Sequence, residues 1–167
     1  SVTESDGSRV QYAYDGLDRL TGETRTGAHA YATTYEYDAA GNRTRQISDG
    51  VETQYTYDLN DRLMTAGSAT YTYDANGSLT KTVDGAETAT YAYNSRNQLI
   101  GATRGGETVT MQYDFFGNRV GMDSPAGSVR YLIDSNNPTG FSQVVEERSG
   151  TGALLASYTC GTDLLSM

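Results

Sequence analysis

The stretch QYTYDLNDRLMTAG, residues 54–67, decides the fold because variants of it recur along the whole chain. It places two tyrosines two residues apart, an aspartate directly after the second, and a polar run that leads into Arg-Leu. Aligned on the residue after the second aromatic, the copies lie 23, 20, 16, 20, 20 and 20 residues apart. A period near 20 residues with small changes in length is typical of a repeat whose loops vary. The aligned residues are Asp15, Asp38, Asp58, Asp74, Asn94, Asp114 and Asp134.

Each copy predicts an antiparallel β-hairpin, because Tyr and Thr favour strands while Asp, Asn and Gly favour turns. In the turn after the tyrosines, the aspartate side chain can accept hydrogen bonds from backbone N–H groups two residues on, and a later Gly or Asn tolerates a left-handed conformation. No segment has helical periodicity over two turns, so we expect an all-β chain. A second set of turns is predicted about half a period later, at Asp6-Gly7, Asp49-Gly50, Asp84-Gly85 and Gly105-Gly106.

Strand alternation puts the two tyrosines of a copy on the same face of the sheet, as with Tyr55 and Tyr57. We expect stacked copies to align these tyrosines in two columns, each cross-strand pair contributing about 0.2–1 kcal/mol. A second, aliphatic column is expected from Leu20, Leu63, Leu79, Leu99 and Val120. The predicted structural motif consists of Tyr12, Tyr14, Asp15, Tyr35, Tyr37, Asp38, Gly41, Tyr55, Tyr57, Asp58, Tyr71, Tyr73, Asp74, Gly77, Tyr91, Tyr93, Asn94, Tyr113, Asp114, Gly117, Tyr131 and Asp134.

Composition and charge limit the classes of partner. The net charge of −9 at pH 7 argues against nucleic acid and against an anionic membrane surface. The sequence contains no run of about 18 apolar residues, so no membrane span is predicted. No targeting leader is visible in the first residues of the sequence. The single cysteine, Cys160, forms no intrachain disulfide, which suits the cytosol and also secreted bacterial proteins. Aliphatic residues are scarce, so stability is expected to come from sheet ladders and tyrosine contacts.

We predict no catalytic, cofactor-binding or metal-binding residue. The only histidine, His29, lies in the long insertion TGAHAYATT and is expected in a surface loop. Cys160 stands where the repeat has an aromatic residue and is expected to be a packed, inert thiol, with a reactive thiol or an intermolecular disulfide as the alternatives. Gly105-Gly106 lacks the strand-to-helix context of a phosphate loop.

The many carboxylates predict local structure rather than catalysis. The adjacent pair Glu146-Glu147 is expected to point to opposite faces of a strand. Calcium takes about six to eight oxygen ligands, and each predicted turn offers one or two carboxylates. The arginines of the Gly-Asn-Arg and Asp-Arg-Leu turns are expected to form local ion pairs. Two pairs within turns are interpreted in the same way, Asp15 with Asp18 and Asp58 with Asp61.

These copies resemble the YD repeat of the Rhs family. YEYDAAGNRTRQ (35–46) and QYDFFGNRVG (112–121) match its Gly-Asn-Arg form, while YDGLDRLTG (14–22) and YDLNDRLMTAG (57–67) match its Asp-Arg-Leu form. Residues 122–167, with VRYLIDSNNPTGFSQVVEE and YTCGTDLLSM, resemble the late part of such arrays. The resemblance implies one array over residues 1–167, about seven stacked hairpins with no separate domain, in a spiralling, β-solenoid-like sheet that forms a shell, tube or fibre.

The resemblance is to bacterial toxins, toxin-complex proteins and teneurins, whose shells often enclose a C-terminal toxin; no toxin domain is expected within residues 1–167. Some cleave themselves at an Asp-Pro-x-Gly-Leu signature, which this chain lacks, since the nearest phrase is Asp134-Ser-Asn-Asn-Pro138-Thr-Gly140-Phe. About 14 strands make a sheet roughly 65 Å wide, or a tube of roughly 20 Å, too narrow for a folded passenger with a radius of gyration near 13 Å. The chain is therefore expected to be a wall segment and not a container.

The expected partners are other copies of the chain or further YD repeats, which would pair with open sheet edges. The resemblance further implies a secreted or cell-surface location in bacteria and an enclosed toxin as partner. Two alternatives stay open. One is an adhesin whose exposed tyrosines bind a cell-surface glycan or receptor. The other is the self-cleaving end of a toxin-carrier shell. It predicts a defined internal cut that is lost when one aspartate, for instance Asp134, is replaced.

Overall fold

The computed structural model describes residues 1–160 and 164–166, and their side chains as far as residue 159. The prediction of an all-β chain is confirmed, since these residues form strands and turns without a helix. It follows that the described part of the chain has no helix with the length and apolar character needed to cross a membrane. The chain divides into two compact units, residues 1–72 and residues 73–167.

The first unit is an antiparallel meander in which each strand pairs with the next along the chain. Tyr73, at the end of its last strand, is the first residue of the second unit. The strands are β1 (Val2–Thr3), β2 (Arg9–Tyr14), β3 (Leu20–Thr26), β4 (Tyr31–Tyr37), β5 (Arg43–Ser48), β6 (Val51–Tyr57), β7 (Leu63–Ala66) and β8 (Ala69–Tyr73).

The second unit repeats this arrangement from β9 to β16, followed by a separate pair, β17 and β18. Its strands are β9 (Leu79–Asp84), β10 (Glu87–Tyr93), β11 (Leu99–Arg104), β12 (Glu107–Tyr113), β13 (Arg119–Ser124), β14 (Gly127–Asp134), β15 (Gln143–Ser149), β16 (Leu154–Ser157), β17 (Thr159–Cys160) and β18 (Leu164–Ser166).

The described strands outnumber the expected 14, since β17 and β18 form a separate pair and two turns without the Tyr-Asp motif add β1 and β16. At residues 149–153 the backbone N–H of Ser149 donates to the carbonyl of Ala153 at 2.8 Å, and the Ser149 hydroxyl stands in for the missing carboxylate. At residues 4–8 the N–H of Glu4 donates to the carbonyl of Ser8 at 2.8 Å. A turn therefore lies at Asp6-Gly7 as predicted, although it spans residues 4–8 and is longer than a two-residue loop.

The remaining tight turns lie close to their predicted places. Asp49 and Gly50 have φ angles of 48° and 83°, so both are left-handed. They form a two-residue turn between Ser48 and Val51, which pair with each other. The Gly105-Gly106 turn has the same geometry. At Asp84-Gly85 the predicted position is one residue early, because Asp84 pairs with Glu87 and the loop is Gly85-Ala86.

Neither unit encloses a thick core. Among the side chains described, only Val10, Ala89, Ser8 and Thr33 are buried, and most tyrosines are half-exposed. A sheet that buries so few side chains gains little from hydrophobic transfer. Its stability therefore depends on the ladders and on contacts between neighbouring hairpins, as the composition predicts.

The register displaces each hairpin by two residues relative to the preceding one. Tyr35 lies opposite Gln46, which lies opposite Thr53, two residues before the equivalent Tyr55. The same displacement occurs in the second unit between β10 and β12. Two residues along the strand for every two strands corresponds to a tilt of about 35°, a typical value for sheets that roll up. The predicted tyrosine columns therefore run obliquely across the strands.

Candidate functional site: contacts between successive repeats

Each copy of the motif before Asp134 leads into a five-residue turn with one hydrogen-bond pattern. At Asp58 the backbone N–H donates to the carbonyl of Arg62 at 3.0 Å, and the carbonyl accepts from Asp61 at 3.1 Å. Asp58 Oδ1 accepts from the N–H groups of Asn60 and Arg62 at 2.8 and 3.0 Å. The fourth residue, Asp61, has a φ of 58°, and the strand continues through a bulge. The same backbone bonds form at residues 15–19, 38–42, 74–78, 94–98 and 114–118.

The loop after Asp134 is longer and departs from this pattern. Asp134 Oδ1 still accepts from the N–H of Asn136 at 2.8 Å. The backbone carbonyl of Asp134 accepts instead from the Asn137 side chain at 3.0 Å, and that amide also donates to Phe141 O at 2.7 Å. This carboxylate therefore has a turn-forming contact, although the turn it opens is not the repeated one.

The fifth turn residue determines what binds the second carboxylate oxygen. In the Asp-Arg-Leu form, Arg62 Nε lies 2.7 Å from Asp58 Oδ2, and the Arg62 side chain is the main cause of the lowered pKa of Asp58. In the Gly-Asn-Arg form, Asn42 Nδ2 donates to Asp38 Oδ2 at 3.1 Å. The same amide donates to Asp61 Oδ1 of the next turn at 2.8 Å. The carboxylates of Asp38 and Asp58 are thus bound by side chains of their own turns.

The arginine of the Gly-Asn-Arg form stacks on tyrosines, so the ion pair predicted for it is wrong. The Arg43 guanidinium lies 4.5 Å from the ring centroid of Tyr55 and 5.6 Å from that of Tyr35. Arg119 lies 5.6 Å from the ring of Tyr131. Neither arginine belongs to an ion pair within the part of the chain that the structure describes. In this form the asparagine binds the turn carboxylate, and the arginine is the residue after it, whose side chain lies over the tyrosine rings.

The arginine of the Gly-Asn-Arg form also occupies a position that was predicted to belong to the aliphatic column. Leu20 pairs with Tyr14 and Leu63 pairs with Tyr57, each just after the turn bulge. The equivalent partner of Tyr113 is Arg119. Val120, predicted for the column, is therefore one residue past it. The column therefore has arginine after the Gly-Asn-Arg turns, at Arg43 and Arg119, and leucine at Leu20, Leu63 and Leu99.

The second tyrosine of a repeat forms a hydrogen bond with the preceding hairpin. The hydroxyl of Tyr57 donates to the carbonyl of Arg43 at 2.9 Å, and that of Tyr37 donates to Leu20 at 2.7 Å. In the second unit Tyr113 donates to Leu99 at 2.9 Å. The two-residue displacement makes these bonds possible, because it brings the ring over the first residue after the earlier turn. Burial raises the pKa of Tyr57.

Successive turns are also joined directly. Arg19 Nη1 donates to the carbonyl of Asp38 at 2.8 Å, across one repeat. In the second unit, Arg96 Nη1 donates to the carbonyl of Phe115 at 2.7 Å while its guanidinium lies 5.1 Å from the Phe115 ring. In both units an arginine side chain thus joins one turn to the next, although Arg19 is the fifth residue of its turn and Arg96 the third.

One polar cluster has no clear signal in the sequence. Arg25, whose side chain is 15% exposed, lies 2.5 Å from a carboxylate oxygen of Glu4 and 3.3 Å from one of Asp6. Its Nη1 also donates to the carbonyl of Ala28 at 2.5 Å. The separation of about twenty residues between arginine and acids hides this cluster from pattern reasoning. It ties the first turn of the chain to the loop after β3.

His29 and the Glu146-Glu147 pair lie as the sequence predicts. His29 is exposed in the loop after β3, which confirms the surface position. Glu146 pairs with Arg148 at 2.6 Å, whereas Glu147 accepts from the Tyr158 hydroxyl at 2.8 Å, so the two acids have separate partners. The described residues contain no cluster of three or more potential metal ligands. The prediction for the Cys160 side chain lies outside the described side chains.

Residues 1–158 match the family model described as Teneurin YD-shell. Among solved structures, the chain is similar to the crystal structure of TcdB2-TccC3-TEV, with 15% identity over 87% of the chain and a TM-score of 0.64. It is also similar to TcdB2-TccC3 without its hypervariable C-terminal region, with 22% identity over 86% of the chain and a TM-score of 0.63. At such identities the likeness shows the fold. The chain spans 9% of the length of each of these proteins. No curated protein matches it.

Proposed function

The chain belongs to the Teneurin YD-shell family, and on that premise we propose that it is a non-catalytic wall segment of a β-shell that encloses or presents a toxin or another effector. The observation that carries the proposal is the repeated contact between neighbouring hairpins. Each hairpin buries little by itself, yet hydrogen-bonds to the next one through tyrosine hydroxyls and turn side chains. Repeat proteins of this kind are stabilised by contacts between neighbours, so their natural role is to extend a surface.

The wall would continue through the outer strands. Within the described part, β1 pairs only with β2, and β16 pairs only with β15 in its sheet. A strand with one unpaired side accepts a further strand through its backbone N–H and C=O groups. We infer that further YD repeats occupy these positions and that the assembled shell lies outside the cell. A segment that spans a tenth or less of its structural neighbours supplies only part of the enclosure.

The tyrosine faces support a wall better than an adhesin. A sugar ring stacks on an aromatic face, but Arg43 lies over Tyr35 and Tyr55, and Arg19 lies 5.0 Å from the ring of Tyr37. Tyr14, at 59% exposure, is the tyrosine with the most accessible side chain in the first unit. It is therefore the residue on which a glycan-binding alternative is best tested.

Two measurements on the purified chain separate these functions. Intact mass spectrometry over several days should show one unchanged mass for the chain and for Asp134→Asn. A defined internal cut that Asp134→Asn abolishes would support self-cleavage instead. A glycan array should show no saturable binding, and binding that Tyr14→Ala removes while Tyr14→Phe retains it would favour the adhesin.

A further inference from the structure

The turn at residues 74–78 contains the only Asn-Gly dipeptide of the chain. Asn76 and Gly77 occupy its third and fourth positions, and both are exposed. Gly77 has a φ of 88°, a left-handed conformation that glycine adopts without strain. Every other asparagine of the chain is followed by a residue that carries a side chain. The backbone nitrogen of Gly77 is therefore the least hindered nitrogen that follows an asparagine here.

An unhindered nitrogen in this position can react with the asparagine side chain. The Gly77 nitrogen forms a bond to Cγ of Asn76, which closes a succinimide ring. The Cγ–Nδ2 bond breaks, and Nδ2 leaves as ammonia with the proton from the Gly77 nitrogen. Water then opens the ring, giving aspartate by attack on Cγ or isoaspartate by attack on the backbone carbonyl carbon of Asn76. The reaction needs water alone as a co-reactant, and it adds a negative charge to the chain.

The turn leaves the Asn76 side chain with little restraint. Its Nδ2 donates to Oδ1 of Asn97 in the next turn at 3.2 Å, and its Oδ1 accepts no hydrogen bond from the residues that the structure describes. Asn94 is held much more firmly by its own turn. Its Oδ1 accepts from the N–H groups of Arg96 and Gln98 at 2.9 and 3.1 Å, and its Nδ2 donates to Gln98 Oε1 at 2.8 Å. The turns thus fix the amide of Asn94 and leave that of Asn76 mobile.

The same turn restrains the attacking nitrogen. The N–H of Gly77 donates to the carbonyl of Asp74 at 3.1 Å. Asp74 Oδ1 accepts from the N–H groups of Asn76 and Ser78, each at 2.9 Å. Because the Gly77 nitrogen must lose its proton to react, the bond to Asp74 has to open first. Local openings of an exposed turn require less free energy than global unfolding, so they occur in the folded chain.

We propose that Asn76-Gly77 is a site of spontaneous deamidation and that opening of the turn at residues 74–78 sets its rate. Aspartate at position 76 keeps the backbone of the turn and removes the amide that donates to Asn97. Isoaspartate adds a methylene group to the main chain, which displaces the N–H groups of Gly77 and Ser78 from Asp74. The isoaspartate product therefore weakens one hairpin of the second unit. This modification is independent of the wall function proposed above.

Peptide mapping of the purified full chain by mass spectrometry tests the proposal. Trypsin cleaves after Arg62 and Lys81 and releases peptide 63–81, in which Asn76 is the only asparagine and glutamine is absent. After weeks at mildly alkaline pH, this peptide should gain the mass difference between an amide and a carboxyl group and should separate into two products. Peptide 82–96 contains Asn94 as its only asparagine and is the internal control. It should convert at least about tenfold more slowly, because a side chain hinders the following nitrogen.

The same incubation in guanidinium chloride measures the reaction in the unfolded chain. Conversion in the folded chain should be at least about tenfold slower, in proportion to the fraction of time for which the turn is open. No mass gain in the folded chain by the time the unfolded chain has converted completely would overturn the proposal. Equal rates in the two states, or faster conversion of peptide 82–96, would also overturn it.

Two variants assign the chemistry and its consequence. Asn76→Gln keeps an amide but lengthens the side chain, which disfavours ring closure, so peptide 63–81 of this variant should keep its mass. Asn76→Asp reproduces the aspartate product and should unfold at nearly the same denaturant concentration as the unmodified chain. Chains that contain isoaspartate should unfold at a lower concentration. A mass gain that persists in Asn76→Gln, or isoaspartate chains as stable as Asn76→Asp, would contradict the proposal.

Discussion

Replacing Tyr57 with phenylalanine isolates one hydrogen bond between repeats. The hydroxyl of Tyr57 donates to the carbonyl of Arg43 at 2.9 Å, and the substitution removes that donor while keeping the ring. A hydrogen bond of this kind contributes about 0.5–1.5 kcal/mol net. We therefore expect the free energy of unfolding to fall by about 1 kcal/mol, which lowers the ratio of folded to unfolded chain about fivefold.

Tyr14→Phe is the matched control, because Tyr14 holds the equivalent position in the first repeat. Its side chain is 59% exposed, and its hydroxyl has no hydrogen-bond partner among the described residues. Urea unfolding followed by circular dichroism should show a lower midpoint for Tyr57→Phe, no shift for Tyr14→Phe, and an unchanged slope in both. Equal shifts in the two variants, or no shift in Tyr57→Phe, would refute the role assigned to this bond.

Two further predictions concern turn backbone and acid stability. Gly41→Ala should destabilise the chain by about 1–2 kcal/mol, because φ is +97° although nothing lies within 4 Å of the added Cβ. Gly27→Ala should cost more, since φ is +95° and the Cβ would lie 2.8 Å from Ser8 Oγ; thermal melts that rank the two variants in the opposite order would contradict this. A hydrogen bond from the Arg45 side chain is the main cause that lowers the pKa of Glu52 from 4.5 to about 2. The ionised Glu52 therefore stabilises the folded chain fully above about pH 4.5, and this contribution is lost as the pH falls towards about 2. Unfolding midpoints from pH 6 to about 2 should fall less steeply for Glu52→Gln, and an unchanged slope would count against that ion pair.

The repeat and its turns could be predicted because they depend on neighbouring residues. Asp58 binds the N–H groups of Asn60 and Arg62 within a single five-residue turn. A pattern of Asp, two variable residues and a left-handed position contains that information directly. The hydrogen bonds expected of the aspartate are accordingly present at turn after turn.

The register could not be predicted in the same way. It depends on the bulge between Thr56 and Tyr57 and on which residue of β5 meets β6, contacts that no single hairpin determines. Shifting a hairpin by two residues preserves the face of every side chain, so hydrophobic alternation does not report it. The oblique tyrosine line, and the hydroxyl bonds that depend on it, therefore became visible only in the structure.

The position of Arg43 shows a second limit. Local charge favours an ion pair, since acids surround the turn. In the structure Asn42 already donates to Asp38, and the arginine stacks between two tyrosines that belong to different repeats. Choosing between these partners requires knowledge of the neighbouring hairpin.

Electron cryomicroscopy of the protein as its source organism produces it tests the central claim most directly. The claim is that residues 1–158 form part of a shell wall. We predict density for a hollow β-shell in which this sheet is flanked on both sides by further YD repeats and has one face towards a closed lumen. A sheet with both faces open to bulk solvent, or with no further YD repeat beside its outer strands, would contradict the account.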